Sequence, residues 1–370
     1  MESTSPAVNA CLFSPCGTYL ISGTALGKLH VWKFTQAAEG GDEEGGGLLP
    51  SRVAELQAHT IGCAIYALAF AETKSGLLLL SGADEEICGW KWDAILKAGS
   101  TMPAAVLRLE NPRTALRRGA LGQLSETSAL AVDASGGVLY SAAGNGDAYA
   151  WDLTTQSMVS TFSGVGEPLH CLTLCSKRKQ LVTGGEEGAV RLWDVRSAKC
   201  EHVVTPTTLA ASSTASSGAK AGGGTVGGGG GAAATTGGGV GGWCGCVGVD
   251  DDETWLVAGW SDGFLCSLDL NTRAVVACMP TAAAPLAAAF EPGSDFHVVS
   301  IGAESGLYHW RLTGELETRA TCSSPTALGL AISGKVGGKE SGQQVIAVGG
   351  SAGTVDVFTD LSHRAFTLCM

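Results

Sequence analysis

Basic side chains are scarce in this chain. Lys and Arg number 23 against 35 Asp and Glu, which leaves a net charge of −12 and a pI near 5.0 over 370 residues. Nonspecific nucleic-acid binding depends on Lys and Arg neutralising phosphates, so the bulk charge opposes it. Two local clusters could still offer a basic patch: Arg113, Arg117 and Arg118, or Lys177, Arg178 and Lys179. Both read as ordinary solvated loop charge. Long apolar runs are also missing. None reaches the roughly 18 residues of a membrane span, and residues 1–9 have neither the basic start nor the apolar run of a secretory leader. No membrane partner is expected.

Thirteen cysteines do not make a disulfide framework, since the count is odd, the chain is long, and Cys88, Cys171 and Cys266 sit in apolar stretches. Reduced, buried thiols in a nuclear or cytosolic protein fit better. Cys244 and Cys246 form a close pair but lack a histidine or second pair at zinc spacing. The seven histidines form no close metal-binding or catalytic pair in sequence. Neither a metal nor a cofactor is expected, and no small-molecule substrate.

Catalytic motifs fail on context. Gly259-Trp-Ser-Asp-Gly263 fits G-x-S-x-G, but Ser261 falls in a strand-strand turn, whereas a nucleophile elbow needs a strand-to-helix turn. Gly329 to Lys335 nearly fits a phosphate loop, yet Val336 stands where Ser or Thr should hold magnesium and no helix pattern follows. The glycine spacings within 222–231 are low-complexity accidents. No catalytic residue is assigned, and the chain does not read as an enzyme.

What the sequence does contain is a repeat. Residues 182–196, V-T-G-G-E-E-G-A-V-R-L-W-D-V-R, read as two strands joined by a tight turn, with glycines where positive φ is cheap. A hydrophobic strand, an acid before glycine and a strand closing in Trp-Asp is the WD-repeat signature. Glu187 stands six positions before Trp193. The same frame ends at Trp32, Trp90, Trp151 and Trp310, and more weakly at Leu268 and Phe358. Each copy follows an apolar strand with a small residue at its end, as in L-I-S-G, L-L-S-G and L-V-A-G.

Seven copies predict an all-β chain: one seven-bladed WD-repeat β-propeller with four antiparallel strands per blade. The blades are placed at about 7–57, 58–110, 124–163, 166–204, 243–280, 284–321 and 324–369. The average of about 53 residues per copy exceeds the roughly 40–45 of a WD repeat. The excess sits in an acidic, glycine-rich loop at 37–47, a Gly/Ala/Ser/Thr-rich insertion at 205–242 that reads as disordered, and a shorter insertion at 334–342. In blade one the third strand is expected over 27–34 and the fourth over 52–57. Residues 94–98 are expected to form one or two helical turns. Residues 1–6 are too few to lend a strand to the last blade, so closure is expected by packing blade seven against blade one.

In the repeat pattern a histidine at the blade start bonds a strand Ser or Thr and the turn acid. His59 would hold that place, with Ser81 and Asp84 as partners and Trp90 closing the set. A structural network outweighs catalysis for this histidine. The structural repeat positions are therefore Trp32, His59, Ser81, Asp84, Trp90, Trp151, Glu187, Trp193 and Trp310.

Several stretches carry a more specific resemblance: 79–92 (L-L-S-G-A-D-E-E-I-C-G-W-K-W), 181–199, 243–257, and the ending 355–368 (V-D-V-F-T-D-L-S-H-R-A-F-T-L). They resemble the THO complex subunit 6 family, along essentially the whole chain apart from the two large insertions. The resemblance implies a nuclear, non-catalytic scaffold that binds other THO subunits and acts in messenger-RNA processing and export, with RNA contact direct or indirect. Trp193-Asp194-Val195-Arg196 is also similar to the W-D-x-R box by which some WD proteins dock onto the adaptor of cullin-4 ubiquitin ligases. That alternative makes Trp193, Asp194 and Arg196 a protein-binding site.

Overall fold

The computed structural model describes residues 5–36, 48–84, 86–99, 101–113, 125–205, 242–294, 296–334, 344–361 and 363–370. The 37–47 loop, nearly all of the 205–242 and 334–342 insertions, and Arg117 and Arg118 lie outside them.

Short apolar strands separated by turn residues pair with their sequence neighbours. The result is seven four-stranded antiparallel sheets, each built from consecutive strands. They span 8–57, 65–109, 127–162, 169–204, 244–280, 285–321 and 327–369. The strands of each blade are called a to d from the inside out. The chain is a seven-bladed β-propeller. Because the strands alternate in direction, the a–b and c–d connections lie on one face and the b–c and d–a connections on the other.

The described residues do not share a single central core. Seven apolar clusters occur among the described residues, one between each pair of adjacent blades. The small residue that ends strand b explains how the wedges fit. A Cβ on Gly23 would stand 2.6 Å from Ile65, one on Gly82 2.6 Å from Thr127, and one on Gly184 2.6 Å from Cys244. In each case the contacted residue sits at the start of a neighbouring blade. The glycine is the space into which the next blade's inner strand settles.

Blade seven supplies its own outer strand, His363–Cys369, and packs on blade one through Val8, Phe13 and Phe34 against Val345, Val355 and Leu368. Gly329 lies where a Cβ would meet the Ala10 backbone at 3.1 Å, so the two inner strands nearly touch. Closure thus uses side chains and close backbone approach rather than an exchanged strand.

Blade one differs from its sequence reading. Its strand c runs Lys28–Gln36 and its strand d Leu48–Gln57. Pairing continues through Phe34↔Pro50 to Gln36↔Leu48, so the hairpin extends to the edge of the acidic loop. Pro50 is tolerated because strand d is an edge strand. In blade two a short helix, Trp92–Lys97, buries Trp92 and Ile95.

Candidate functional site

The repeat positions form hydrogen bonds inside the blades. Trp151 Nε1 donates to Ser141 Oγ, Trp193 Nε1 to Thr183 Oγ1, and Trp310 Nε1 to Ser300 Oγ, each at 2.9 Å. These bonds tie strand c to strand b, and all three indoles are buried. Trp32 is used differently. Its Nε1 has no hydrogen-bond partner, the Arg52 guanidinium lies 5.8 Å over its ring, and the nearby Ser22 hydroxyl instead donates to Met370 Sδ at 3.4 Å.

In blade two, His59 Nε2 and Ser81 Oγ are 2.6 Å apart, and the Trp90 ring meets the imidazole edge-on at 6.0 Å. Asp84 is not the acid against this histidine. Its carboxylate accepts the Ala64 N–H at 2.7 Å, while Glu86 Oε1 lies 3.8 Å from His59 Nδ1. Burial lowers the His59 pKa to about 4 despite the nearby Glu86 carboxylate. Glu187 pairs with Arg191, at 2.8 and 2.6 Å from its two carboxylate oxygens.

Within the W-D-x-R stretch the three side chains have different surroundings. Trp193 is 3% exposed. Asp194 accepts the Arg196 N–H at 3.0 Å and the Ser197 hydroxyl at 2.9 Å. The Arg196 N–H holds the Asp194 carboxyl below the usual carboxylate range. Only Arg196 is exposed, on the c–d turn.

The basic run at 177–179 faces acids of both flanking blades, Lys179 Nζ lying 4.0 Å from Asp133 of blade three. Lys177 and Arg178 donate their backbone N–H groups to Glu253, both at 2.9 Å, and Lys177 Nζ reaches Asp252 at 3.2 Å. Arg178 also bonds Asn271. Lys177 and Arg178 thus join blades four and five. Ser261 lies in the turn between strands Trp255–Trp260 and Phe264–Asp269 and donates its N–H to the Trp243 carbonyl at 2.9 Å. All thirteen cysteines are free thiols. A central channel of about 280 Å³ runs between the inner strands, lined mostly by small and apolar residues with Tyr66 and His170 among them.

Three features were not visible in the sequence reading. Trp260 Nε1 donates to the Gly188 carbonyl across the blade interface at 2.7 Å. Asp356 is buried in blade seven and accepts from Ser323 Oγ at 2.8 Å, Thr367 Oγ1 at 2.6 Å and Arg364 Nη1 at 3.3 Å. The seven histidines, expected to form no close metal-binding or catalytic pair, include one close pair: the rings of His297 and His309 stack with centroids 5.0 Å apart. Twelve positions separate them, but the hairpin register of strands b and c brings them together, and spacing along the chain does not show it.

Fold and repeat geometry together define the class: a seven-bladed WD-repeat β-propeller. The family model for the WD domain, G-beta repeat, matches residues 2–33 and 156–194. The chain is similar along nearly its whole length to THO complex subunit 6. It is 27% identical to the mouse homologue over 96% of this chain and 90% of that one, and the human protein matches to the same extent. The Arabidopsis thaliana protein is 27% identical over 80% of this chain and 72% of its own. Among solved structures, the WD40 β-propeller domain of Doa1 superimposes with a TM-score of 0.64, covering 97% of this chain and 94% of that one. At 14% identity, that likeness concerns the fold alone.

Proposed function

We propose that this chain is a non-catalytic WD-repeat scaffold subunit of a THO complex, acting in the nucleus in messenger-RNA processing and export. The observation that carries this reading is the likeness to THO complex subunit 6 over 96% of the chain. The geometry is in keeping with it. Trp151, Trp193, Trp310 and His59 are hydrogen-bonded within their own blades, which leaves a rigid ring presenting loops on two faces, the usual platform for protein partners. The test is affinity purification of the tagged chain from nuclear extract, read by mass spectrometry. Recovery of the other THO subunits supports the reading; a clean preparation without them overturns it.

A second reading rests on Arg196. It stands exposed beyond a turn that Asp194 fixes, so a guanidinium is held out for a partner's carboxylate or carbonyl. In this reading the chain docks onto the cullin-4 ligase adaptor. Pull-down of the adaptor with the native chain and with Arg196→Ala decides it. Equal capture by both shows that the box is not used.

A further inference from the structure

Two groups of metal-ligating side chains occur among the described residues: His59, Glu86 and Cys88, and Glu291, His297 and His309. They differ in how their atoms are used. In the first, His59 Nε2 is bonded to Ser81, and Arg108 Nη1 lies 2.8 Å from both Glu86 oxygens. Burial pushes the Cys88 thiol up to about 12, so it is not the thiolate a metal needs. The protein already occupies these ligands.

The second group, in blade six, is different. His297 begins strand b (His297–Gly302) and His309 lies near the end of strand c (Glu304–Arg311). Pairing of His297 with Arg311 and of Val299 with His309 makes the two histidines diagonal neighbours on one sheet face. Glu291 sits in the a–b turn, where its N–H bonds the His297 carbonyl at 3.1 Å. Glu317 is the unmatched residue of a bulge in strand d, since Thr318 pairs with His309 and Leu316 with Trp310. Bulges re-aim side chains, and this one turns a carboxylate toward the histidines.

The two carboxylates approach different nitrogens of the stacked rings. Glu317 Oε2 is 3.2 Å from His309 Nδ1 and 3.4 Å from His297 Nε2, while its Oε1 accepts Arg311 Nε at 2.5 Å. Glu291 Oε1 is 3.1 Å from His309 Nε2, and its Oε2 is 3.8 Å from His297 Nδ1. His309 is 8% exposed. Its Nε2 and Glu291 Oε1 are both buried, and neither makes a hydrogen bond.

One tautomer pair suits this pattern: with protons on His309 Nδ1 and His297 Nε2, one Glu317 oxygen faces an N–H from each ring. Lone pairs are then left on His309 Nε2 and His297 Nδ1, the two nitrogens nearest Glu291. The Ser294 hydroxyl, 2.8 Å from His297 Nδ1, donates to that lone pair. A carboxylate oxygen and an imidazole lone pair, both buried and 3.1 Å apart, repel unless a cation lies between them.

We propose that blade six binds one divalent first-row transition metal ion of the zinc class through Glu291, His297 Nδ1 and His309 Nε2, with Glu317 as a positioning residue. Two imidazoles and one carboxylate are a zinc donor set, and a carboxylate behind the ring N–H is the arrangement that orients such ligands. On binding, the Ser294 hydroxyl turns away from His297. Three protein ligands leave a fourth position for water. The His297 and Glu317 side chains are 31% and 26% exposed, which gives the ion a way in. The ion would join the a–b turn, strand b and strand c at the a–b/c–d face.

The test uses the full-length chain, stripped with chelator. It is titrated with Zn²⁺ against a chromophoric competitor and with Co²⁺ by visible absorption. One saturable equivalent is expected, with Co²⁺ d–d bands and a raised Tm. His297→Ala and Glu291→Gln, both outside the apolar core, should abolish that equivalent while the circular dichroism spectrum is kept. Glu317→Gln should weaken Zn²⁺ binding roughly 10–100-fold and shift the Co²⁺ bands. Arg196→Ala, in another blade, should bind as the native chain does. Absence of saturable binding overturns the proposal, as does unchanged affinity in both His297→Ala and Glu291→Gln. So does a metal-independent stabilisation on acidification that His309→Gln removes, which would mark a protonated His309 bridging the two glutamates.

Discussion

Trp193 fills the gap between blades three and four and anchors strand c through Thr183. Trp193→Ala should therefore cost about 3–5 kcal/mol, a large share of a typical total of about 5–15, seen as a lower denaturation midpoint in urea. Trp193→Phe keeps most of the ring and leaves Thr183 without its donor, for a loss nearer 1–3 kcal/mol. The buried histidines give a pH signature. Burial holds both His59 and His30 at a pKa of about 4, against 6.5 when unfolded. As pH falls, the unfolded chain takes up these protons first, so stability is full above about 6.5 and is lost on the way down to about 4. Each histidine contributes roughly 3 kcal/mol across that window. Replacing His59 with Gln should flatten half of the slope in a Tm-against-pH series. At this scale the partnership of His59 with Ser81 was legible from the repeat, but the acid was not. Trp90 follows Ser81 by nine positions, whereas Trp193 follows Thr183 by ten. The shorter turn sends Asp84 to the Ala64 N–H and brings Glu86 toward the ring.

Blades are held to one another by small residues and by buried polar contacts. Gly184→Val would drive a side chain into Cys244 and Cys171, and overpacking of this kind costs about 1–3 kcal/mol, measurable by thermal denaturation. Asp356 is the polar centre of blade seven. It binds strand d through Thr367 and Arg364 and the loop before strand a through Ser323. Asp356→Ala should cost about 1–3 kcal/mol, because the buried carboxylate is lost together with the bonds it accepts from Ser323, Thr367 and Arg364. Asp356→Asn should recover part of that loss in the same urea titration. The small residue at the end of strand b was legible as a repeated pattern, and the ending V-D-V-F…R-A-F-T-L as a resemblance. That Asp356 binds residues of that same ending was not legible, since an acid in an apolar strand carries no spacing signal. The same holds for Glu291, His297, His309 and Glu317, which only the hairpin register and a bulge bring together.

At the scale of the ring, the seven sheets were legible because each blade repeats one frame and supplies its own four strands. Insertions between strands left the count readable, since loop-closure entropy grows only with the logarithm of length. The exact hairpin of blade one was not legible, because its pairing runs on through Pro50, a residue that reads as a strand end.

Ser5 and Pro6 lie against Gly353, whose carbonyl also accepts the Met370 N–H at 3.2 Å, so residues 5, 6 and 370 come together beside the same turn. Where a strand is exchanged across the seam, rejoining the termini and cutting elsewhere would split a sheet. Here each sheet is made of four consecutive strands, so none depends on which blade comes first. A circular permutant with its ends linked and a new start at Gly164, between blades three and four, would still lay down seven whole sheets in turn.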